Sequence, residues 1–360
     1  MEKFLCETAI YAGSGTISVL GDFGAKRLFL VSDPFFVKNG TADRVIAASG
    51  CEASEIFDGV KPDPTVELTA EGTARLRTFG PDLVVALGGG SAMDCAKAMT
   101  YFARCGARLA AIPTTSGSGS EVTDFAILTH GKVKHPLVDP QLRPCAAILD
   151  SDLLAQLPKG LIADCGFDVL THALEAYTAK GAGAFSDLYA KEAFGCAFAN
   201  LPASYAGRQD VRLKIHVAST MAGIAFTHAG LGLCHAMAHS LGGMFHVPHG
   251  RLNAILLPAI VGCNAEAAGK KYADIARSAG IGGSAQTIAV RNLRSGLIRL
   301  RKELNLPETL AQAGIPVRSL WNQSASLVAA TLADPCCGSN PIGVDDFMVR
   351  RILEEVAGRG

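Results

Sequence analysis

Five side chains in this chain could converge on one chemistry. Asp168 and His172 lie four residues apart in GFDVLTHALEAY, His235 and His239 lie four apart in GLGLCHAMAHSLGGMFHVPHG, and His249 follows the second pair. Residues four apart share a helix face, so each pair can aim two groups at one point. Six of the nine histidines (His216, His228, His235, His239, His246 and His249) fall in one stretch. A lone buried histidine is more often a hydrogen-bonded core residue than a ligand, and Asp168 alone could merely be a carboxylate near a helix N-terminus. One carboxylate with several imidazoles at helical spacing, in Gly-rich apolar surroundings, has few such explanations. The set points to a divalent transition metal, and without a thiolate it suits Fe(II), Zn(II) or a similar ion. Cys234 adjoins His235 but points about 100° away around the helix and is left out. His249 sits in VPHG, where Pro248 favours a first helical turn. His246 is read as structural or pocket-lining, and His228, seven residues before His235, as sharing its face near the rim. His130, His135 and His216 receive no role.

A second group of residues suits a phosphate. Leu83 to Leu87 form an apolar strand running into Gly88, Gly89, Gly90 and Ser91 and then a helix beginning near Ala92. Glycines let the backbone approach a ligand, and a helix N-terminus offers amides and the positive end of its dipole. Such turns also occur for tight packing alone, and this one is not the G-x-G-x-x-G fingerprint. Asp33 ends an earlier strand in LFLVSD, where a carboxylate can bind an adenosine ribose and repel a 2′-phosphate, favouring NAD over NADP. The competing reading is a turn made by Asp33 and Pro34. The run from Pro113 to Glu121 (PTTSGSGSE) is crowded with hydroxyls that could wrap a cofactor or solvate a loop.

These residues need elements to hold them. The expected class is an α/β N-terminal nucleotide-binding domain followed by an all-α domain. Up to about residue 155 short apolar runs (RLFLVSD, DLVVALGGG, RLAAIPTT, AAILD) alternate with helical patterns, as in a mostly parallel sheet covered by helices. FAILTH and KHPLVD around Gly131 suggest an added hairpin. After Pro158 the pattern becomes long Ala-rich amphipathic stretches such as SDLYAKEAFGCAFANLP and TIAVRNLRSGLIRLRKEL. LPKG supplies the break, so the expected domains are 1–157 and 158–360. Lys plus Arg equals Asp plus Glu at 33 each among 360 residues, so no global field favours nucleic acid or a membrane surface, and a small neutral substrate is the default partner. Eleven cysteines without a Cys-x-x-Cys pair read as reduced thiols in a cytoplasmic protein. MEKFLCETAIYAGSG lacks a basic segment followed by a long apolar run, so neither a secretory leader nor a membrane span is expected. Hydrophobic residues make up 49% of the chain, enough for two cores and for contacts in a homodimer or larger homo-oligomer.

Taken together, VSDPFFVKNG, FDGVKPDPT, ALGGGSAMDCAKA, IPTTSGSGSEVT, AILDSDLLAQLP, GFDVLTHALEAY, GLGLCHAMAHSLGGMFHVPHGRLNAILLP and SNPIGVDD resemble the iron-containing (group III) alcohol dehydrogenase family over nearly the whole chain. The resemblance implies an α/β nucleotide domain, a helical domain and an active site in the cleft between them. It implies that Asp168, His172, His235 and His249 bind the metal, Fe(II) first and Zn(II) second. His239 then corresponds to a histidine near nicotinamide and substrate, acting in proton transfer. Gly88, Gly89, Gly90 and Ser91 would hold the NAD(H) diphosphate, Asp33 the ribose, and Thr114, Thr115 and Ser118 the adenine and nicotinamide sides. Phe125, Phe226 and Leu231 match positions that line the substrate pocket.

Within the family, GGGSAMDCAKA, DVLTHALEA and AGLGLCHAMAHSLGG are most similar to the microcompartment-type 1-propanol dehydrogenases. That implies interconversion of short primary alcohols and aldehydes by direct hydride transfer, with a metal Lewis acid lowering the alcohol's pKa. It also implies possible company with microcompartment enzymes, although no amphipathic helix is expected ahead of the first strand. The alternative within the family is a 1,3-propanediol or 4-hydroxybutyrate dehydrogenase. Outside it stand a non-redox enzyme resembling dehydroquinate synthase and a binding protein without turnover.

Overall fold

In a computed structural model the chain is described over residues 3–131 and 133–358. It divides into two compact units, one of Leu5–Leu157 and one that begins at Pro158 and includes Phe4.

Among the described residues the first unit has eight strands: β1 (Ala9–Gly13), β2 (Arg27–Ser32), β3 (Ala53–Phe57), β4 (Leu83–Gly88), β5 (Arg108–Pro113), β6 (Phe125–His130), β7 (Val133–Val138) and β8 (Ala146–Asp150). Its helices are α1 (Pro34–Lys38), α2 (Thr41–Ser49), α3 (Val66–Phe79) and α4 (Gly90–Ala103). Six strands form one parallel sheet in the order β1-β8-β5-β4-β2-β3. β4 is buried at every position and β2 at all but the first, as expected of strands covered on both faces. Along β2 the side chains alternate: Phe29 and Val31 meet Leu76, Met93 and Met99 from α3 and α4, whereas Leu28 and Leu30 meet Ile17, Leu20, Ala42 and Val45 on the opposite face. β6 and β7 form a separate antiparallel pair, the hairpin expected around Gly131.

The strand order creates a crevice. From β2 the chain goes out to β3 and returns to β4 on the other side of β2, so the connections leave the carboxyl ends of β2 and β4 in opposite directions. That is where open α/β sheets bind ligands. Ser32 pairs with Leu87 and Gly88 with Pro113, so Asp33, the glycine turn and the hydroxyl-rich loop all emerge at this edge.

The second unit contains α5 (Lys159–Thr178), α6 (Ala184–Tyr205), α7 (Arg212–Ala229), α8 (Leu233–Phe245), α9 (His249–Cys263), α10 (Ala265–Ser278), α11 (Gln286–Glu303), α12 (Val317–Asn322), α13 (Ser324–Ala333), α14 (Cys336–Ser339) and α15 (Asp346–Val356). Among the described residues no strand follows Asp150. α5 is the central helix, buried almost throughout from Ile162 to Thr178 and packed on α6, α7 and α9. A helix buried on all sides must account for each polar group it carries. Asp168, His172 and Glu175 are such groups. No single helix among the described residues is long and apolar enough to cross a membrane.

Candidate active site

In the helical unit, α5 presents Asp168, His172 and Glu175 at positions i, i+4 and i+7, one face of the helix. α8 brings His235, and α9 brings His249 as its first residue, directly after Pro248 as expected. The close approach of α9 to α5 depends on Gly250: a Cβ there would stand 2.0 Å from the Asp164 carbonyl oxygen. Next to it Arg251 grips the Asp164 carboxylate through Nε at 3.2 Å and Nη2 at 2.9 Å. Gly250→Ala is expected to force the helices apart at a cost of about 1–3 kcal/mol and to lower bound metal by moving His249. Urea unfolding with elemental analysis checks both effects.

Three imidazole nitrogens surround one carboxylate oxygen. Asp168 Oδ1 lies 3.5 Å from His249 Nε2, 3.7 Å from His235 Nε2 and 3.9 Å from His172 Nε2. The ligand atoms of Asp168, His235 and His249 all fall within 4.8 Å of one another. Ligands about 2.1 Å from a tetrahedral ion stand about 3.4 Å apart, so the group is slightly wider than a closed metal shell. His235 Nδ1 makes a 2.6 Å hydrogen bond to Glu175 Oε2. A carboxylate only accepts, so Nδ1 carries a hydrogen and Nε2 is the nitrogen left to face Asp168. That Nε2 is buried without a hydrogen-bond partner. One carboxylate oxygen among imidazole nitrogens, one of them buried and unbonded, is a donor set that fits a divalent transition metal.

Protonation tells the same story. Burial opposes charge on Asp168, yet His172, His249 and His235 hold its carboxyl well below the usual range. Burial also disfavours charged imidazoles, but Asp168 and Glu175 pinch His235 and raise it to about 9, whereas His249, buried among neighbouring imidazoles, is pushed well below its ordinary value. The imidazoles cannot all take protons around one carboxylate, and a metal would replace the proton on His235.

His239 goes elsewhere. Its Nδ1 is 2.8 Å from Asp334 Oδ2, and its ring stacks on His249 with centroids 5.2 Å apart. The second pair on α8 thus divides, His235 joining Asp168 and His239 joining Asp334. Burial opposes charge on Asp334 too, but His239 holds it down to about 2. Phe226 stacks on His172 at 4.5 Å, and Leu231 precedes α8, its carbonyl accepting from Ser339 Oγ. His228 does not share a face with His235. α7 ends at Gly230, and His228 packs against Phe4 at the end of α7.

Four supporting residues escaped the sequence reading. Glu175 accepts from the amides of Gly232 (2.9 Å) and Cys234 (2.7 Å) as well as from His235, an anion seated at the N-terminus of α8. Its signal was the seven-residue interval from Asp168. Asn253, one turn beyond His249, donates to Asp168 Oδ1 at 2.8 Å. Asn340, in SNPIGVDD, accepts from the Leu233 amide and exchanges hydrogen bonds with Asn264. Asp334 had no local signal.

In the α/β unit the three loops come together. Gly88 has φ 151°, where a Cβ would strike that of Ala92 at 2.6 Å and lie 3.7 Å from Asp33 Oδ2. Asp33 Oδ1 caps α1 by accepting from the Phe35 amide, so the turn reading holds for one oxygen while the other stands beside the glycine turn. α4 begins at Gly90, earlier than expected, which puts Ser91 in its first turn. Thr114 donates its amide to the Gly88 carbonyl, and Thr115 and Ser118 pack against Gly89 and Gly90. Buried Lys97 ties α4 to the loop by donating to Ser120 Oγ, Thr123 Oγ1 and the Phe125 carbonyl, and burial lowers it to about 8. Phe125 lies in this unit, beside Lys97.

The family models place this geometry. Residues 7–151 match the iron-containing alcohol dehydrogenase model, and residues 162–357 match the C-terminal model of the Fe-containing alcohol dehydrogenase family. The chain belongs to the iron-containing alcohol dehydrogenase family. It is an oxidoreductase acting on alcohols, with the α/β and helical parts of that family's fold. The 1-propanol dehydrogenase PduQ of Salmonella typhimurium is 38% identical over 99% of this chain and 100% of its own. The NADPH-dependent butanol dehydrogenase of Clostridium saccharobutylicum is 35% identical over 98% of this chain and 97% of its own. Among solved structures, the sulfoacetaldehyde reductase of Bifidobacterium kashiwanohense in complex with NAD+ matches with TM-score 0.90 and 28% identity, covering 100% of both chains.

Proposed function

We propose that this iron-containing alcohol dehydrogenase interconverts short primary alcohols and aldehydes, of the 1-propanol/propanal or ethanol/acetaldehyde type, with NAD(H). The reading rests on three Nε2 atoms converging on Asp168 Oδ1. Asp168, His172, His235 and His249 would hold the metal, with Fe(II) first and Zn(II) second on donor type. When bound, the ion supplies a Lewis acid for the substrate oxygen and the nicotinamide supplies or accepts a hydride.

The protein's own residues do the rest. Glu175 keeps the hydrogen of His235 on Nδ1 and so keeps Nε2 aimed at the centre. Asp334 does the same for His239, whose Nε2 then holds or moves the proton exchanged with the substrate hydroxyl. Phe226, stacked on His172, excludes water from one side of the group. Phe226 and Leu231, both in the helical unit, are apolar, which suits a short neutral chain over a hydroxy acid. Gly88 to Ser91 offer the first-turn amides of α4 to the diphosphate, with Thr114, Thr115 and Ser118 beside them. The similarity to 1-propanol dehydrogenase PduQ supports propanal as the test substrate. On the same resemblance, the protein would be a cytoplasmic homodimer or larger homo-oligomer, inside a bacterial microcompartment or free.

Steady-state kinetics on iron-loaded protein tests this reading. NADH oxidation is expected to be faster, per kcat/KM, with propanal than with succinic semialdehyde. The reverse order would favour a hydroxy acid dehydrogenase, and no net NADH oxidation with any aldehyde would favour non-redox chemistry.

The cofactor choice has its own test, because one relative is named for NADPH. The Asp33 carboxylate beside the glycine turn would repel a 2′-phosphate. Asp33→Gly is expected to cut the NADH over NADPH preference in kcat/KM by about tenfold, or about 1.4 kcal/mol. Loss of the α1 cap to glycine costs only a few tenths of a kcal/mol. An unchanged ratio would remove Asp33 from cofactor selection.

A further inference from the structure

His239 and Asp334 are joined by a third potential ligand. The ligand atoms of His239, Asp334 and Cys336 lie within 4.8 Å of one another, and all three side chains are partly exposed. The trio shares no residue with the Asp168 group, although the rings of His239 and His249 stack. Its scaffold is already ordered: Asp334 accepts from His239 Nδ1 at 2.8 Å through one oxygen and from the Cys336 amide at 2.8 Å through the other. The neighbouring Cys337 is turned away, its Sγ donating to the Thr331 carbonyl at 3.0 Å.

We propose that His239, Asp334 and Cys336 form a second divalent cation site, selective for zinc, beside the iron site. Donor chemistry distinguishes the two. The first set has one carboxylate, imidazoles and no thiolate, whereas the second adds a sulfur, and the borderline-soft Zn(II) ion takes N, O and S donors together. Three protein ligands with an open fourth position suit a reversible, solvent-accessible site. Ligand atoms around a closed site stand about 3.3–3.7 Å apart. The His239–Asp334 pair, at 2.8 Å, opens by about half an ångström as the ion replaces the hydrogen bond, and the Cys336 side chain closes on it from within 4.8 Å. Burial keeps the Cys336 thiol protonated in the cation-free state, so zinc binds by displacing that proton. Each cation has its own carboxylate, Asp168 for one and Asp334 for the other, which limits repulsion between adjacent ions.

The consequence is inhibition by zinc. A cation on His239 Nδ1 replaces the Asp334 hydrogen bond and takes the imidazole out of proton transfer. The loss of rate rests on the role proposed for His239, but zinc binding does not.

Equilibrium dialysis of the full-length, iron-loaded protein against zinc under anaerobic conditions, followed by elemental analysis, tests the site. The expected result is one zinc per chain bound alongside one retained iron. Cys336→Ser should weaken zinc binding by more than about tenfold, since even a lost outer-shell partner costs about 10–100-fold, while iron content stays unchanged. Cobalt(II) added to iron-loaded protein should show thiolate charge-transfer absorption in the wild type that is absent from Cys336→Ser. Asp334→Asn gives an independent second variant with the same expected loss of zinc. Zinc entering only by displacing iron, or binding Cys336→Ser as tightly as the wild type, would overturn the proposal. Zinc bound beside iron with full turnover would uphold the site and refute the role of His239.

Discussion

His235→Ala is expected to lose bound iron and activity together, whereas His239→Ala keeps its iron and loses rate. The two residues are one turn apart on α8, yet they face different carboxylates. Removing His235 takes away one of three imidazoles around Asp168 Oδ1 and leaves Glu175 buried without its ring partner. Removing His239 leaves that group intact and deletes only the residue proposed to handle the proton. Loss of a positioned acid or base costs about 10²–10⁴-fold in rate. Elemental analysis and kcat on both variants check the contrast. Full iron in both would show that the ligand set is wrong, and loss of iron from both would make His239 a ligand.

Glu175→Ala should produce the largest loss of stability of any single change near the site. The carboxylate is 5% exposed and accepts from His235 Nδ1 and from the Gly232 and Cys234 amides. Alanine leaves these donors buried and unpaired, and breaking a buried network of this kind costs about 3–5 kcal/mol. Glu175→Gln retains an acceptor for the amides and should cost less in stability, but it no longer sets the His235 tautomer firmly. Its iron affinity is expected to fall by about 10–100-fold. Chemical denaturation of the metal-free proteins separates the fold effect from the metal effect. If Glu175→Ala unfolds at the same denaturant concentration as the wild type, water satisfies those donors and the capping argument fails.

The parts of the site that residue spacing alone made visible were those carried by one element. Asp168 and His172 are four residues apart on a single helix, so their shared face follows from helix geometry alone. The same is true of the glycine turn after β4, where strand, glycines and helix are contiguous. The arithmetic failed where a helix stopped. His228 and His235 are seven apart, but Gly230 ends α7 at φ 87°, and the two histidines belong to different helices. Spacing alone placed His249 only near a helix start, and its joining Asp168 came from the resemblance, because that convergence depends on how closely α9 can approach α5, which Gly250 decides. Asp334 lies 95 residues beyond His239, and no local pattern connects them. For the fold, alternating strands and helices implied a parallel sheet, but the order that puts Asp33 opposite Gly88 is set by crossovers that hydrophobic periodicity does not encode.

The central claim is that activity depends on one metal held by Asp168, His172, His235 and His249. Titration of metal-free protein with Fe(II) under anaerobic conditions, following propanal-dependent NADH oxidation at each addition, tests it most directly. The account predicts a linear rise in rate that breaks at one equivalent per chain, and no rise in Asp168→Asn over the same range. Full activity before any metal is added, or an Asp168→Asn titration that matches the wild type, would contradict it.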